Sequence, residues 1–181
     1  MSAKETYSPQ WRAQSLPKRV ASAIVLVPLA LAAVWYGGWY LAAFWLLFVF
    51  VGLIEFYGMA KAQGHPVVSW LGIAAGVTLI LLTELGRLDL AGPIGLLVVV
   101  ISFASCLRGP LQGKLMGLAL TWFGFIYVAG LGAHLLSLRH LERGFGLLLL
   151  TLLATWSADV FAFFIGVKWG KRKLAPRISP H

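Results

Sequence analysis

Acidic residues are scarce in this 181-residue chain: six Asp and Glu stand against fifteen Lys and Arg. Cysteine is scarcer still. Cys106 stands alone, so neither an intrachain disulfide nor a cysteine-based metal site can form, and its place at the end of an apolar run suits a buried small hydrophobe. Charged residues make up only 12% of the chain, whereas 60% is hydrophobic and the mean hydropathy is +0.85. A soluble domain of this size must enclose its core in a polar surface, which this composition cannot supply. Nucleotide-binding glycine loops are missing too, with no P-loop and no G-x-G-x-x-G, and no Ser-His-Asp or Cys-His set is visible. His65, His134 and His140 are scattered without ligand spacing, and His134 reads as a packed, hydrogen-bonded residue rather than a metal ligand.

What the chain has instead is long apolar runs. Residues 1–17 are polar, contain Pro9 and Pro17, and read as an N-terminal arm. Lys18 and Arg19 then abut a run from Val20 to Tyr36. Ala30-Leu31-Ala32 resembles a signal-peptide cleavage site, but the long polar leader and the continuation through Val34, Trp35 and Tyr36 favour a retained helix. Gly37-Gly38 turns the chain into Trp39–Met59, and further runs follow at Val67–Leu85, Ala91–Leu107, Leu115–Leu136 and Phe145–Val167. Each approaches the roughly 20 residues needed to cross a hydrocarbon core. The runs are continuous and Leu/Ala-rich rather than alternating, which predicts helices and not strands. The expected fold is all-α, a polytopic integral membrane protein of about six transmembrane helices. Its parts are a cytoplasmic arm (1–17), a helical bundle (18–169) and a basic cytoplasmic segment (170–181).

The formal charge of +9 raises the question of nucleic acid, but the charges lie between the apolar runs and at both ends, without a basic helical face or an aromatic-interleaved patch. No nucleic-acid partner is expected; membrane lipids are. With a cytoplasmic N-terminus, twelve Lys and Arg fall on the cytoplasmic side and three (Arg87, Arg139 and Arg143) on the other. Both termini are therefore expected in the cytoplasm of a bacterial-type inner membrane, provided no helix is miscounted before Arg139. Trp35, Tyr36, Trp39, Tyr40, Tyr57 and Trp70 cluster near span ends as an aromatic belt. G-x-x-x-G spacings starting at Gly72, Gly113 and Gly166 point to close helix packing.

Two carboxylates lie well inside apolar runs, Glu55 and Asp159. An ionised carboxylate at mid-span costs roughly 2.5–3.5 kcal/mol, so each needs a reason. Glu55 is near enough to its helix end to reach interfacial water or Lys61. Asp159 has no basic residue within two helical turns, and periodicity places it on one face with Thr155, Trp156, Phe163, Gly166 and Gly170. An acid on a face bearing small residues suggests a wetted cavity in which it binds a hard cation such as Mg²⁺ or handles a proton. A structural carboxylate, satisfied by a neighbouring helix, is the alternative. Five basic residues follow within ten positions: Lys168, Lys171, Arg172, Lys173 and Arg177. They read equally as a juxtamembrane lipid contact or as a clamp for a nucleotide triphosphate beside a metal.

The stretch from Trp156 to Gly166, with Asp159 inside it, and the following Lys168-Trp169-Gly170-Lys171-Arg172-Lys173-Leu174-Ala175-Pro176-Arg177-Ile178-Ser179-Pro180 resemble the phosphatidate cytidylyltransferase (CDP-diacylglycerol synthase) family. There, W-x-x-D-x-x-A-Y/F-x-x-G leads into F-G-K-x-K-L-A-P-x-I-S-P. Leu16 to Ala23 also looks like the family's opening, and Glu55 falls where members often carry an acid. The resemblance implies a membrane enzyme that joins CTP and phosphatidic acid into CDP-diacylglycerol and pyrophosphate with Mg²⁺. It implies that Asp159 serves as a catalytic residue and metal ligand, and that Lys171, Lys173, Arg177 and Ser179 bind the phosphates. A homodimer is left open.

Departures within the motif are mild, Phe163 for Tyr and Val167 for Arg. The family's C-terminal signature, S-x-x-K-R-x(4)-K-D followed by P-G-H-G-G-x-x-D-R-x-D, does not follow Ser179-Pro180 before His181. The expectation is an N-terminal fragment or truncated product that does not catalyse the reaction alone. A small proton- or cation-coupled transporter and a non-catalytic membrane scaffold are the competing readings.

Overall fold

The computed structural model describes residues 24–106 and 113–169, and every regular element among them is helical. In chain order these are α1 (Ile24–Tyr36), α2 (Gly38–Ala62), α3 (Ser69–Glu84), α4 (Ala91–Cys106), α5 (Lys114–Gly124), a π-helical turn (Phe125–Gly130), α6 (Leu131–Arg139) and α7 (Gly144–Trp169). A 3₁₀ turn, Leu88–Leu90, precedes α4. Four stretches are long and apolar enough to cross a membrane, and α1 and α3 are shorter apolar helices. The protein is an all-α integral membrane protein, and each expected run corresponds to one rod. Boundaries moved: α2 continues to Ala62 and α7 to Trp169. The fifth rod is unbroken from Lys114 to Arg139 and carries its π turn in the middle. The arm 1–17 and the segment 170–181 lie outside the described residues.

Helices are the solution here because a peptide group in hydrocarbon must be paired within its own segment. The same rule governs hydroxyls. Thr83, Ser102 and Thr151 donate to the carbonyl oxygens of Leu79, Val98 and Leu147, four residues back, at 2.8, 2.6 and 2.9 Å. Large apolar side chains face outward, with Leu96 65% exposed and Phe164 63%, a surface that suits lipid and not water.

The interior is built on α2, α3 and the α5–α6 rod. Leu41, Val49, Leu53, Ile80, Ala129 and Leu136 are buried there with Tyr57. The Tyr57 hydroxyl donates to the Thr121 carbonyl oxygen at 2.7 Å, and the Thr121 hydroxyl accepts from the Val68 amide at 3.0 Å. Glycines make this approach possible: a Cβ on Gly72 would run into the Tyr57 hydroxyl, and one on Gly124 would lie 2.7 Å from its ring. The expected G-x-x-x-G packing holds at Gly72 and Gly76, where Gly76 admits Leu53, and at Gly117 against the Pro66 carbonyl; Gly166 has nothing packed on it among the described residues.

The turns sort to two ends. At one end, Gly37 (φ 64°) sits with the Arg139 guanidinium 2.9 Å from where a Cβ would be, so both its backbone and its space require glycine. The Glu84 side chain, 7% exposed, places Oε2 3.6 Å from His140 Nε2, and Glu84 Oε1 lies beside Gly38. Arg139 stands over the Phe145 ring at 5.8 Å, and Phe145 meets Trp35 edge-on at 5.6 Å. This polar cluster ties the α1–α2 turn to the end of α3 and to the α6–α7 turn. It also keeps the loop carrying Arg139 and Arg143 at the Gly37 end, the loop grouping on which the charge count depends. The α2–α3 turn and the start of α5 gather at the other end, where Pro66 meets Gly113 and Gly117.

Gly72→Ala should destabilise the bundle by about 1–3 kcal/mol, the usual cost of overpacking. Gly58→Ala, at a position with nothing within 4 Å, should not, and melting in detergent compares the two. Arg139→Ala should cost about 1–2 kcal/mol through its lost ring contact and packing, against less than about 0.5 kcal/mol for the exposed Arg143→Ala in the same melting experiment.

Candidate functional site

Helix α7 carries the candidate site, and it is held at one end. Gly144 begins it, packed so closely on the Arg139 carbonyl that a side chain would not fit. Phe145 and Leu148 then anchor the first turns, Leu148 being fully buried, and Leu152 adds a partly buried contact. From Leu153 to Ala162 the helix is exposed except at Trp156, which is half-buried. Its Leu- and Ala-rich sequence favours an uninterrupted helix, and the Thr151 and Thr155 hydroxyls are satisfied by donating to the Leu147 and Thr151 carbonyl oxygens at 2.9 Å each.

Asp159 lies on this exposed half. It has no hydrogen bond or ion pair among the described residues, so the alternative of a carboxylate satisfied by a neighbouring helix finds no support there. Of the face expected to carry it, Thr155, Asp159 and Gly166 are exposed and Trp156 is half-buried. The Phe163 side chain and Gly170 lie outside what is described. The wetted interior cavity expected around Asp159 is not enclosed by the described residues, because α7 packs on α6 only near its Gly144 end. Lys171, Lys173, Arg177 and Ser179 also lie outside the described residues.

Glu55 is exposed on α2 and makes no ion pair with Lys61 among the described residues. Its depth matches that of Asp159. Glu55 lies about 25 Å along α2 from Gly38, and Asp159 lies about 23 Å along α7 from Gly144; both distances start from the Gly37 end. The two carboxylates therefore occupy one level of the bundle on different helices. His134 bonds its Nδ1–H to the Gly130 carbonyl oxygen at 2.7 Å, as a hydrogen-bonded residue should, but it faces outward rather than packing inside.

No group of three or more His, Cys, Asp or Glu that could hold a metal ion exists among the described residues. A hard cation such as Mg²⁺ does not need one. It keeps several waters and takes one or two carboxylates plus substrate phosphates, and an unpartnered Asp159 fits that donor set.

Sequence reading passed over the Glu84–Arg139–His140 cluster. Glu84 stands at the last position of α3, where an acid looks interfacial, and only the fold brings His140, far later in the chain, against it. The Tyr57–Thr121 bond was missed for the same reason, since Tyr57 read as part of the aromatic belt.

A family model described as the cytidylyltransferase family matches residues 17–181. The chain is 29% identical over 178 residues to a phosphatidate cytidylyltransferase of Pseudomonas aeruginosa, covering 91% of this chain and 62% of that protein. It is 30% identical over 180 residues to proteins of the same name from Brucella abortus and Brucella melitensis, covering 92% of this chain and 60% of theirs. The chain thus spans about 60% of the length of these relatives. No solved structure matches it. With a single family model running from the start of the first apolar run through the basic segment, the chain belongs to the cytidylyltransferase family.

Proposed function

We propose that this chain carries part of the active site of a membrane enzyme that makes CDP-diacylglycerol and pyrophosphate from CTP and phosphatidic acid. The observation that carries the reading is Asp159: a carboxylate inside an apolar helix, without a partner among the described residues, one turn after Trp156 and followed by a run of Lys and Arg. The names of the relatives support the same substrates.

The reaction needs an oxygen of the phosphatidate phosphate to attack the α-phosphorus of CTP. One P–O bond forms, the bond between the α- and β-phosphates breaks, and pyrophosphate leaves with the electron pair. No covalent step on the protein is required, so positioning and charge neutralisation supply the catalysis. Lys171, Lys173 and Arg177 neutralise the triphosphate and the departing pyrophosphate, and the Ser179 hydroxyl donates to a phosphate oxygen. Asp159 would hold Mg²⁺, which when bound would spread the charge developing on the phosphate oxygens. Without that cation, a carboxylate beside a triphosphate would repel it. The twelve-to-three bias in Lys and Arg supports a cytoplasmic location for the end of α7, where CTP is available, and hence an inner-membrane enzyme with both termini inside.

In the protein expressed from its full reading frame, Asp159→Asn should lower CDP-diacylglycerol formation by about 100-fold or more while leaving membrane insertion intact. Asp89→Asn, which removes only an exposed pairing with Arg87, should leave the rate within about twofold. An undiminished rate in the Asp159→Asn protein would remove Asp159 from the catalytic machinery, and no product from the unmodified protein would favour the scaffold reading.

A further inference from the structure

The search for sites beyond Asp159 leads to a groove on the flank of the bundle. Helices α1, α2 and α7 are separated there by a space of about 470 Å³, lined by side chains including Leu26, Val34, Phe44, Phe48, Leu148 and Trp156. Its walls are almost entirely apolar. The groove begins near the Gly37 end, beside Val34 and Leu148, and follows α7 to Trp156. Trp156 and Asp159 are three residues apart on a helix and so are neighbours on its surface. The groove therefore ends on the turn that bears the candidate catalytic carboxylate.

We infer that this groove holds a fatty acyl chain of the phosphatidic acid substrate; the inference rests on the function proposed above. Three features select that occupant. A polar ligand has almost nothing to bond in these walls beyond the indole N–H groups of Trp45 and Trp156. At about 30 Å³ for a group the size of a water or methylene, the space takes roughly 15 carbons, the length of one ordinary acyl chain. Finally, the groove's end at Trp156 leaves the head of such a chain beside Asp159, and in the sequence the basic residues follow that carboxylate.

The groove's role follows from the solvent. Bilayer lipid is as apolar as these walls, so entering the groove gains little from the hydrophobic effect. What the groove supplies is position: a tail laid along α7 fixes the depth and orientation of the phosphate before CTP arrives.

The test uses the chain in phosphatidylcholine nanodiscs with a phosphatidic acid probe carrying a photoactivatable diazirine midway along one acyl chain. Adduct sites are mapped by mass spectrometry. The expected result is label concentrated on the groove-facing turns of α1, α2 and α7 and suppressed by excess unlabelled phosphatidic acid. Ala30→Trp, which fills the groove, should lower that label by about fivefold or more, whereas Ala104→Trp on the exposed side of α4 should not. Label spread evenly over all outward-facing helices and indifferent to competition would mean bulk lipid and would overturn the assignment; the competition in the unmodified chain decides this even if Ala30→Trp fails to fold. Because the readout is an adduct and not turnover, the two proposals can fail separately. A labelled groove without cytidylyl transfer by the protein from its full reading frame removes the activity, and transfer by that protein with uniform label removes the groove.

Discussion

A phenol buried among hydrocarbon side chains must find its hydrogen-bond partner inside the protein, and the bond from Tyr57 to the Thr121 carbonyl oxygen is the contact around which this bundle is arranged. To place that hydroxyl, α3 and α5 must both come close to α2, which they do at Gly72 and Gly124. The same close approach lets Thr121 accept from the Val68 amide and so satisfies a free donor at the start of α3. Apolar burial cannot select this arrangement by itself, since lipid solvates a leucine as well as a neighbouring helix does. Small residues and a few internal polar bonds specify which helices touch.

The rigidity of that unit contrasts with the way α7 is attached. Its first turns are pinned by the polar cluster at the Gly37 end and by Leu148 and Leu152, and from Leu153 to Ala162 only Trp156 is not exposed. A carboxylate held at mid-span in this manner is costly, roughly 2.5–3.5 kcal/mol, unless water, a cation or another polar group reaches it. The arrangement thus creates a demand at Asp159 that binding can meet, which links the packing at one end of the bundle to the chemistry near the other. Glu55, at the same level on α2, adds a second acid facing outward from the packed unit.

Hydropathy made most of the fold legible, because the runs that lipid requires are the same runs that become helices. Its failures have physical causes. The π turn at Phe125–Gly130 sets Val128 against Gly52 and Ala129 against Gly76 on the neighbouring helices, and a local sequence carries no mark of such a fit. Glu84 and His140 were invisible as partners because their proximity depends on how helices distant in sequence meet. Asp159 was legible for the opposite reason: a charge in an apolar run is conspicuous without any neighbour. The sequence showed that it needed an explanation, but it could not show that the described helices leave it open. The basic residues beyond Trp169 remain known by their sequence and their family resemblance.

The measurement that bears most directly on function follows the phosphorus of CTP. Membranes containing the protein from its full reading frame, in a host depleted of its own activity, are incubated with phosphatidic acid and CTP labelled at either the α- or the γ-phosphate. Cytidylyl transfer predicts radioactivity in the lipid extract from the α-label alone, with the γ-label released as pyrophosphate. Lipid label from the γ-position would mean phosphoryl transfer instead, and absence of lipid label from both would contradict the proposed reaction.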